Sequence, residues 1–139
     1  MDVRLTIATA LVVGAVAAGA PAAAQQTTLD GVFTEDQAAR GAELFGENCA
    51  ACHGVSLQGT GEAPPLSGAE FVWGWNGLTL GDLFDRIRKT MPLDRPGALD
   101  RETNAAILAY LLEFNGYPAG ETELWDRTEL LAAILIEAQ

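Results

Sequence analysis

The chain has 139 residues, with 8 lysines and arginines against 19 aspartates and glutamates, so its formal net charge is −11. This length fits one small domain. The acidity argues against nucleic acid as a partner, because phosphate repels an anionic protein. Two cysteines are too few for a disulfide framework. The cysteine pair and the single histidine are therefore better explained by chemistry than by cross-linking.

The first 24 residues have the pattern of a secretory signal peptide. A short head contains Arg4, an uncharged run rich in alanine and valine follows over 5–20, and Ala22 and Ala24 stand in A-x-A order. An uncleaved membrane anchor is the alternative, although the run falls short of the ~20 strongly apolar residues that a span needs. We expect cleavage after Ala24, no membrane span in the mature chain, and a periplasmic location.

We expect the remainder to comprise a linker over 25–33, one domain over 34–120 and a C-terminal extension over 121–139 packed on that domain. Strand signals are almost absent, so the predicted fold class is all-α, with three main helices and long loops. Three helices make a thin core. Something other than side chains is therefore expected to fill the middle of the domain.

The first predicted helix begins at Thr34, with Gln37 three residues on as the partner in a capping box. Ala38, Ala42 and Phe45 then repeat at helical spacing, so this helix leads to the cysteine pair.

Between residues 54 and 77 glycine and proline are dense, and no long regular element is expected there. The second predicted helix begins at Thr79, which forms a capping-type start with Asp82, and ends before Pro92. Its apolar face consists of Leu80, Leu83, Phe84 and Ile87.

The third predicted helix begins at Asp100, a good N-cap, and stops at Gly116 and Pro118. Its buried positions are predicted to be Ile107, Leu108, Leu111 and Leu112. The C-terminal tail shows helical periodicity, but its stretch AILIEA alternates as a short strand does. Both structures remain open for it.

The segment NCAACHG, residues 48–54, carries the strongest chemical signal. A redox dithiol would call for strands alternating with helices, and those strand signals are missing. A zinc site needs four ligands, whereas Cys49, Cys52 and His53 exhaust the usual soft donors of the chain. The third chemistry is covalent haem attachment, in which both thiols reach the porphyrin and the histidine binds its iron. Cys-x-x-Cys-His is specific enough for us to expect haem c.

A second axial ligand is predicted at Met91, the only methionine outside the leader. It lies in KTMPLDRPG, between a helix end and a proline, where loop geometry can hold a thioether against iron. A lone methionine is usually core filler. In that case the iron would be open or water-bound, and ligand binding or peroxidase chemistry would come into play.

With these residues in place, the chain resembles the class I c-type cytochromes, and more narrowly the small periplasmic cytochromes that accompany quinoprotein alcohol dehydrogenases. The similar segments, which occur in the order of that group, are RGAELFGENCAACHG, APPLSG, TLGDLFDRIRKTMP and AILAYLLEFNGYPAG. The resemblance runs from about Thr34 to Gly120. In the extension, Trp125 stands where the family leads us to expect proline.

The resemblance implies further roles. The backbone carbonyl of Pro64 would accept the imidazole N–H of His53, and Leu66 would pack on the haem face. It also implies that the first and third helices cross, with Gly41 and Phe45 on one helix and Ile107 and Tyr110 on the other. Trp73 and Trp75 could bound the haem or bind a propionate, or could be ordinary core or surface aromatics.

These inferences together predict an electron-transfer protein and not an enzyme, a monohaem cytochrome that carries single electrons from a dehydrogenase, of the quinoprotein type, towards a terminal oxidase. A fixed subunit of a respiratory complex and a haem enzyme or gas-binding protein are the alternatives. Five of the seven basic residues that follow the leader lie within 86–101. They form either a solvated charged face or a docking patch for a redox partner.

Overall fold

The computed structural model describes residues 24–61 and 63–139. The expected leader therefore lies, apart from Ala24, outside the described residues. None of the helices formed by the part of the chain that is described is long and apolar enough to cross a membrane.

Helices dominate the described residues, which confirms the predicted all-α class. In chain order the elements are strand β1 (Gln26–Thr27), a 3₁₀ turn (Thr28–Asp30), helices α1 (Glu35–Asn48), α2 (Ala50–His53), α3 (Gly68–Trp75), α4 (Leu80–Thr90), α5 (Arg101–Phe114) and α6 (Thr128–Leu131), and strand β2 (Ile134–Leu135). The three main helices are α1, α4 and α5, as predicted.

All three predicted helix starts are capped by the expected side chains. The Thr34 hydroxyl accepts the Gln37 amide at 3.1 Å, and the Asp100 carboxylate accepts the Thr103 amide at 2.7 Å. At Thr79 both halves of a capping box with Asp82 are present. Each cap satisfies amide groups that the first helical turn cannot pair internally.

The capping box predicted at Thr34 is only half formed. The Gln37 side chain is directed instead to the C-terminal extension, where its Nε2 donates to the Leu124 carbonyl at 3.0 Å and its Oε1 accepts the Leu124 amide at 2.7 Å. Because Gln37 is buried, two hydrogen bonds to one backbone unit satisfy both ends of its amide. This contact fixes the extension against α1.

The region from 54 to 77 contains more helix than predicted. Helix α3 makes two turns over GAEFVWGW, after the prolines have ended. Gly68, which has a positive φ, is its first residue. The Asn115 side chain at the end of α5 accepts a hydrogen bond from the Gly68 amide at 3.0 Å. Because a partner from α5 satisfies this first amide, the helix forms without a local cap.

Helices α1 and α5 cross at Gly41. A Cβ at this position would lie 1.9 Å from the Ala106 carbonyl oxygen and 2.9 Å from the Tyr110 Cβ, so only glycine permits this approach. The Phe45 and Tyr110 rings contact one turn further on, with centroids 5.4 Å apart. The predicted crossing of these helices is therefore present, with Ala106 as the residue that meets Gly41.

Both ends of the described chain pack on the helices. β1 and β2 pair in parallel, with Gln26 opposite Ile134 and Thr27 opposite Leu135. In the segment expected to be a linker, Val32 and Phe33 belong to the core. The buried residues of the extension are Leu124, Leu131, Ile134 and Ile136. The tail therefore contains both structures left open by its sequence, a short helix followed by a short strand.

Candidate haem site

The cysteines and the histidine lie on one helical turn at the end of α1. Cys49 breaks the helix with φ −127° and ψ −33°, and α2 follows at once. The amides of Cys52 and His53 both donate to the Cys49 carbonyl, at 3.2 and 3.0 Å. The Cys49 and Cys52 thiols lie close enough to influence each other electrostatically.

His53 is oriented by the loop that follows it. Its imidazole is buried, with 8% of the residue exposed, and its Nδ1 lies 2.9 Å from the Pro64 carbonyl oxygen. A carbonyl can only accept, so Nδ1 carries the proton and Nε2 is left as the basic nitrogen. The Pro64 carbonyl therefore lies within hydrogen-bond distance of the imidazole.

Backbone hydrogen bonds hold this loop against the helix. The Gly59 amide donates to the His53 carbonyl at 2.8 Å, and the Leu66 amide donates to the Leu57 carbonyl at 2.8 Å. Leu57 is fully buried beneath them. The Pro64 carbonyl therefore has little freedom to move away from the imidazole.

The Cys49 thiol does not have the character of a redox-active thiol. Burial raises the pKa of the Cys49 thiol to about 11, although the nearby Arg95 guanidinium opposes the shift. Reactive pairs in Cys-x-x-Cys motifs have a lowered pKa, because only the thiolate attacks. Cys49 is instead a neutral thiol in apolar surroundings, which suits a residue that meets an apolar cofactor.

Among the residues described, no group of three or more His, Cys, Asp or Glu side chains is arranged to hold a metal ion directly. The soft donors therefore remain the two cysteines, the histidine and the methionine already identified.

Met91 lies at the end of α4, where the chain leaves the helix. Its amide still donates to the Ile87 carbonyl at 2.9 Å, while its backbone is already extended, with φ −119° and ψ 156°. The side chain is partly buried and is followed by the buried Pro92. Residues 91–98, which we call the methionine loop, then run along the surface.

Several apolar side chains on the segments of the candidate residues are only partly buried. Apolar side chains that pack on the core without being fully buried come from every element that carries a candidate residue, and they include Leu44, Ala50, Leu66, Val72, Trp75, Ile87, Leu99 and Tyr110. Trp73, by contrast, is 64% exposed. The segments that carry the candidate residues thus each leave some apolar surface uncovered, as binding of a flat, largely apolar cofactor requires.

Two of the five basic residues clustered over 86–101 share one carboxylate. The Asp85 carboxylate accepts from Arg88 at 3.1 Å and also from Lys89. These contacts, together with a hydrogen bond from Thr128, lower the pKa of Asp85 to about 2.

Sequence reasoning missed two residues beside the site. Arg95 Nη2 donates to Asn48 Oδ1 at 2.8 Å, so the methionine loop is tied to the residue preceding Cys49. Nothing in the sequence pairs residues 47 positions apart. An arginine in the loop and an asparagine next to the motif were the only available signals.

The helical fold and the site define a class I c-type cytochrome. Residues 36–111, more than half of the chain, match the family described as cytochrome c oxidase, cbb3-type, subunit III. The chain belongs to this family. Cytochrome c domains transfer electrons, so the family describes an electron-transfer protein and not an enzyme.

Curated relatives agree with this assignment. The chain is 33% identical over 93 residues to the cbb3-type cytochrome c oxidase subunit CcoP of Azospirillum brasilense, a match covering 55% of this chain and 30% of the relative. It is 35% identical over 81 residues to the subunit FixP of Bradyrhizobium sp. (strain ORS 278), covering 57% and 28%. The chain thus spans about a third of the length of these relatives.

A solved structure shares the fold. A chain in the crystal structure of the sulfane dehydrogenase SoxCD from Paracoccus pantotrophus aligns with a TM-score of 0.50 at 22% identity, covering 85% of this chain and 66% of that chain. At this level of identity the likeness concerns the fold alone.

Proposed function

We propose that this chain binds one haem c, which Cys49 and Cys52 would attach through thioethers and for which His53 and Met91 would supply the protein's iron ligands. The observation that carries the proposal is the 2.9 Å contact from His53 Nδ1 to the Pro64 carbonyl. It directs the proton to one nitrogen of a buried imidazole and makes the other a ligand. Leu66 contributes apolar surface to the same cofactor.

When bound, the haem supplies one-electron chemistry between ferric and ferrous iron. The protein sets the potential and excludes other reactions. The soft sulfur of Met91 favours ferrous iron, and the apolar surroundings of Cys49 and Leu66 disfavour the extra charge of ferric iron. We therefore expect a positive reduction potential, with no coordination position left for substrate.

We further propose that the protein works in the periplasm, exported by its leader, where it accepts electrons from a dehydrogenase of the quinoprotein type and passes them to a terminal oxidase. Similarity to subunits of cbb3-type oxidases supports an oxidase as the electron acceptor. The proposal of a quinoprotein dehydrogenase as the electron donor rests on the sequence resemblance alone.

The experiment is rapid mixing of the oxidised holoprotein with a purified quinoprotein dehydrogenase at low ionic strength, followed by mixing of the reduced form with oxidase-containing membranes. Absence of reduction in the first step would remove this donor.

A second function is favoured by the family itself. The relatives are subunits of cbb3-type oxidases, so the domain could be a fixed part of an oxidase instead of a mobile carrier. Purification of the tagged protein from its own host under mild detergent separates the two. Stoichiometric recovery of oxidase subunits supports the fixed subunit, and recovery of the cytochrome alone from the periplasmic fraction supports the carrier.

A haem enzyme or gas-binding protein is the remaining alternative, and it requires an open iron. Carbon monoxide added to the ferrous protein distinguishes it. Slow or negligible binding is expected if Met91 is bound, whereas rapid binding would favour the open site.

A further inference from the structure

We propose that Arg95 and Asn48 form a latch that holds the methionine loop closed over the site, so that Arg95 is a positioning residue for Met91. This inference rests on the proposed ligand role of Met91. It concerns two residues that are not among the predicted cofactor-binding residues.

The loop has little else to hold it. Residues 93–98 are all exposed, and Pro92 is the only buried residue among 92–98. Its internal bonds are local, from the Arg95 amide to the Pro92 carbonyl at 3.0 Å and from the Gly97 amide to the Met91 carbonyl at 3.4 Å. Segments with few buried contacts and exposed hydrogen bonds open at low free-energy cost.

The only hydrogen bond that joins 92–98 to a distant part of the described chain is the one from Arg95 Nη2 to Asn48 Oδ1, at 2.8 Å. It connects the loop after Met91 to the last residue of α1, directly before Cys49. The latch therefore joins the segment carrying the sulfur ligand to the segment carrying the attachment site.

Asn48 is built to receive this donor. Its Nδ2 donates to the Leu44 carbonyl at 2.9 Å, within α1. Since a carbonyl only accepts, this bond fixes which end of the amide is nitrogen and turns Oδ1 towards the loop. The guanidinium of Arg95, half exposed, then meets an acceptor already oriented by the helix. Hydrogen bonds to a charged group are stronger than those between neutral groups.

The test compares Arg95→Ala with Arg86→Ala in the ferric holoprotein. Both variants remove one positive charge, but Arg86 lies on α4 and is exposed. Imidazole is the probe, because it binds ferric iron only when the methionine has left. We expect Arg95→Ala to increase the apparent affinity for imidazole by about fivefold to tenfold, in line with loss of one charge-assisted hydrogen bond. We expect Arg86→Ala to have little effect.

Two further variants separate positioning from general destabilisation. Arg95→Lys retains a donor and should recover most of the wild-type affinity. Arg95→Ala combined with Asn48→Ala should bind imidazole no more tightly than the tighter of the two single variants, because the pair acts through one bond. Equal imidazole affinities for wild type, Arg95→Ala and Arg86→Ala together with unchanged hydrogen exchange in the loop, or additive effects in the double variant, would overturn the latch.

Hydrogen exchange tests the loop without reference to the iron ligand. The Gly97 amide should exchange faster in Arg95→Ala than in Arg86→Ala, and unchanged exchange would contradict the latch. Faster exchange with unchanged imidazole binding would leave the latch standing and show that Met91 is not the ligand. The latch and the ligand role of Met91 would therefore be contradicted by different observations.

Discussion

The two sides of the candidate site are held in different ways. On the histidine side, His53 is buried and bonded to Pro64, and backbone hydrogen bonds fix the surrounding loop. On the methionine side, Met91 is partly buried and the loop behind it is anchored chiefly by one side-chain bond from Arg95. A network of several hydrogen bonds resists single changes to its surroundings, whereas a loop held by one bond can move while the fold persists.

The largest expected effect comes from the ligand on the rigid side. His53→Ala should abolish a normal holoprotein, because no other histidine exists to replace it. Cys49→Ala or Cys52→Ala should leave a haem held by one thioether, in lower yield. Visible absorbance of the exported protein measures both effects. Wild-type yield and spectrum in His53→Ala would show that His53 is not an iron ligand.

Substitution of Gly41 should affect both sides of the candidate site, because it disrupts the packing of α1 on α5. Gly41→Val places side-chain atoms where a Cβ alone would lie 1.9 Å from the Ala106 carbonyl oxygen, so α1 must move away from α5. We expect a loss of about 3 kcal/mol in the free energy of unfolding, measured by denaturant titration.

Gly46→Ala is the matched control on the same helix, since nothing lies within 4 Å of a Cβ there. It should be neutral or should stabilise by up to about 1 kcal/mol. Equal losses for both variants would mean that the helix crossing is not what constrains residue 41.

Met91→Ala sharpens the contrast between the two sides. The haem should stay attached and the helices intact, while the iron opens to added ligands and the reduction potential falls. The measurements are a redox titration and the absorbance band at the red end of the ferric spectrum that marks iron–sulfur ligation. A native spectrum in the variant would remove Met91 as the ligand.

The smallest predicted effect concerns the helix that leads into the methionine loop. Bonds from Lys89, Thr128 and Arg88 hold the pKa of Asp85 at about 2, below the ~3.9 of an unperturbed aspartate. A lowered pKa stabilises the fold above the unfolded value, and this stabilisation is lost as the pH falls through the folded value.

Asp85→Asn should therefore reduce the free energy of unfolding by roughly 0.5–1 kcal/mol near neutral pH. The difference from wild type should shrink between about pH 4 and pH 2, because the wild-type carboxylate becomes protonated there. Denaturant titrations at the two ends of this range provide the measurement. A constant difference would mean that the charge of Asp85 is not responsible.

The features predicted from sequence were those that depend on neighbouring residues. Thr34, Thr79 and Asp100 cap their helices with an amide only a few residues away, so the caps could be recognised from spacing alone. The Cys-x-x-Cys-His motif could be recognised in the same way, because its residues are contiguous in the sequence. The role of Gly41 could be anticipated only through resemblance, because its reason lies in Ala106 on another helix.

The features that were missed depend on contacts far apart in the chain. The Gln37 side chain bonds to the Leu124 backbone, 87 residues away, and not to the start of its own helix. Strand β1 pairs with β2 across more than 100 residues. No local propensity encodes such pairings, because they form only after the helices have packed. The same holds for Arg95 and Asn48, which no periodicity connects.

The most direct test of the central proposal is the intact mass of the exported protein after denaturation. The account predicts that the chain keeps the added mass of a single haem, since two thioethers survive unfolding. A chain of unmodified mass, or one that loses the added mass on denaturation, would contradict attachment through Cys49 and Cys52.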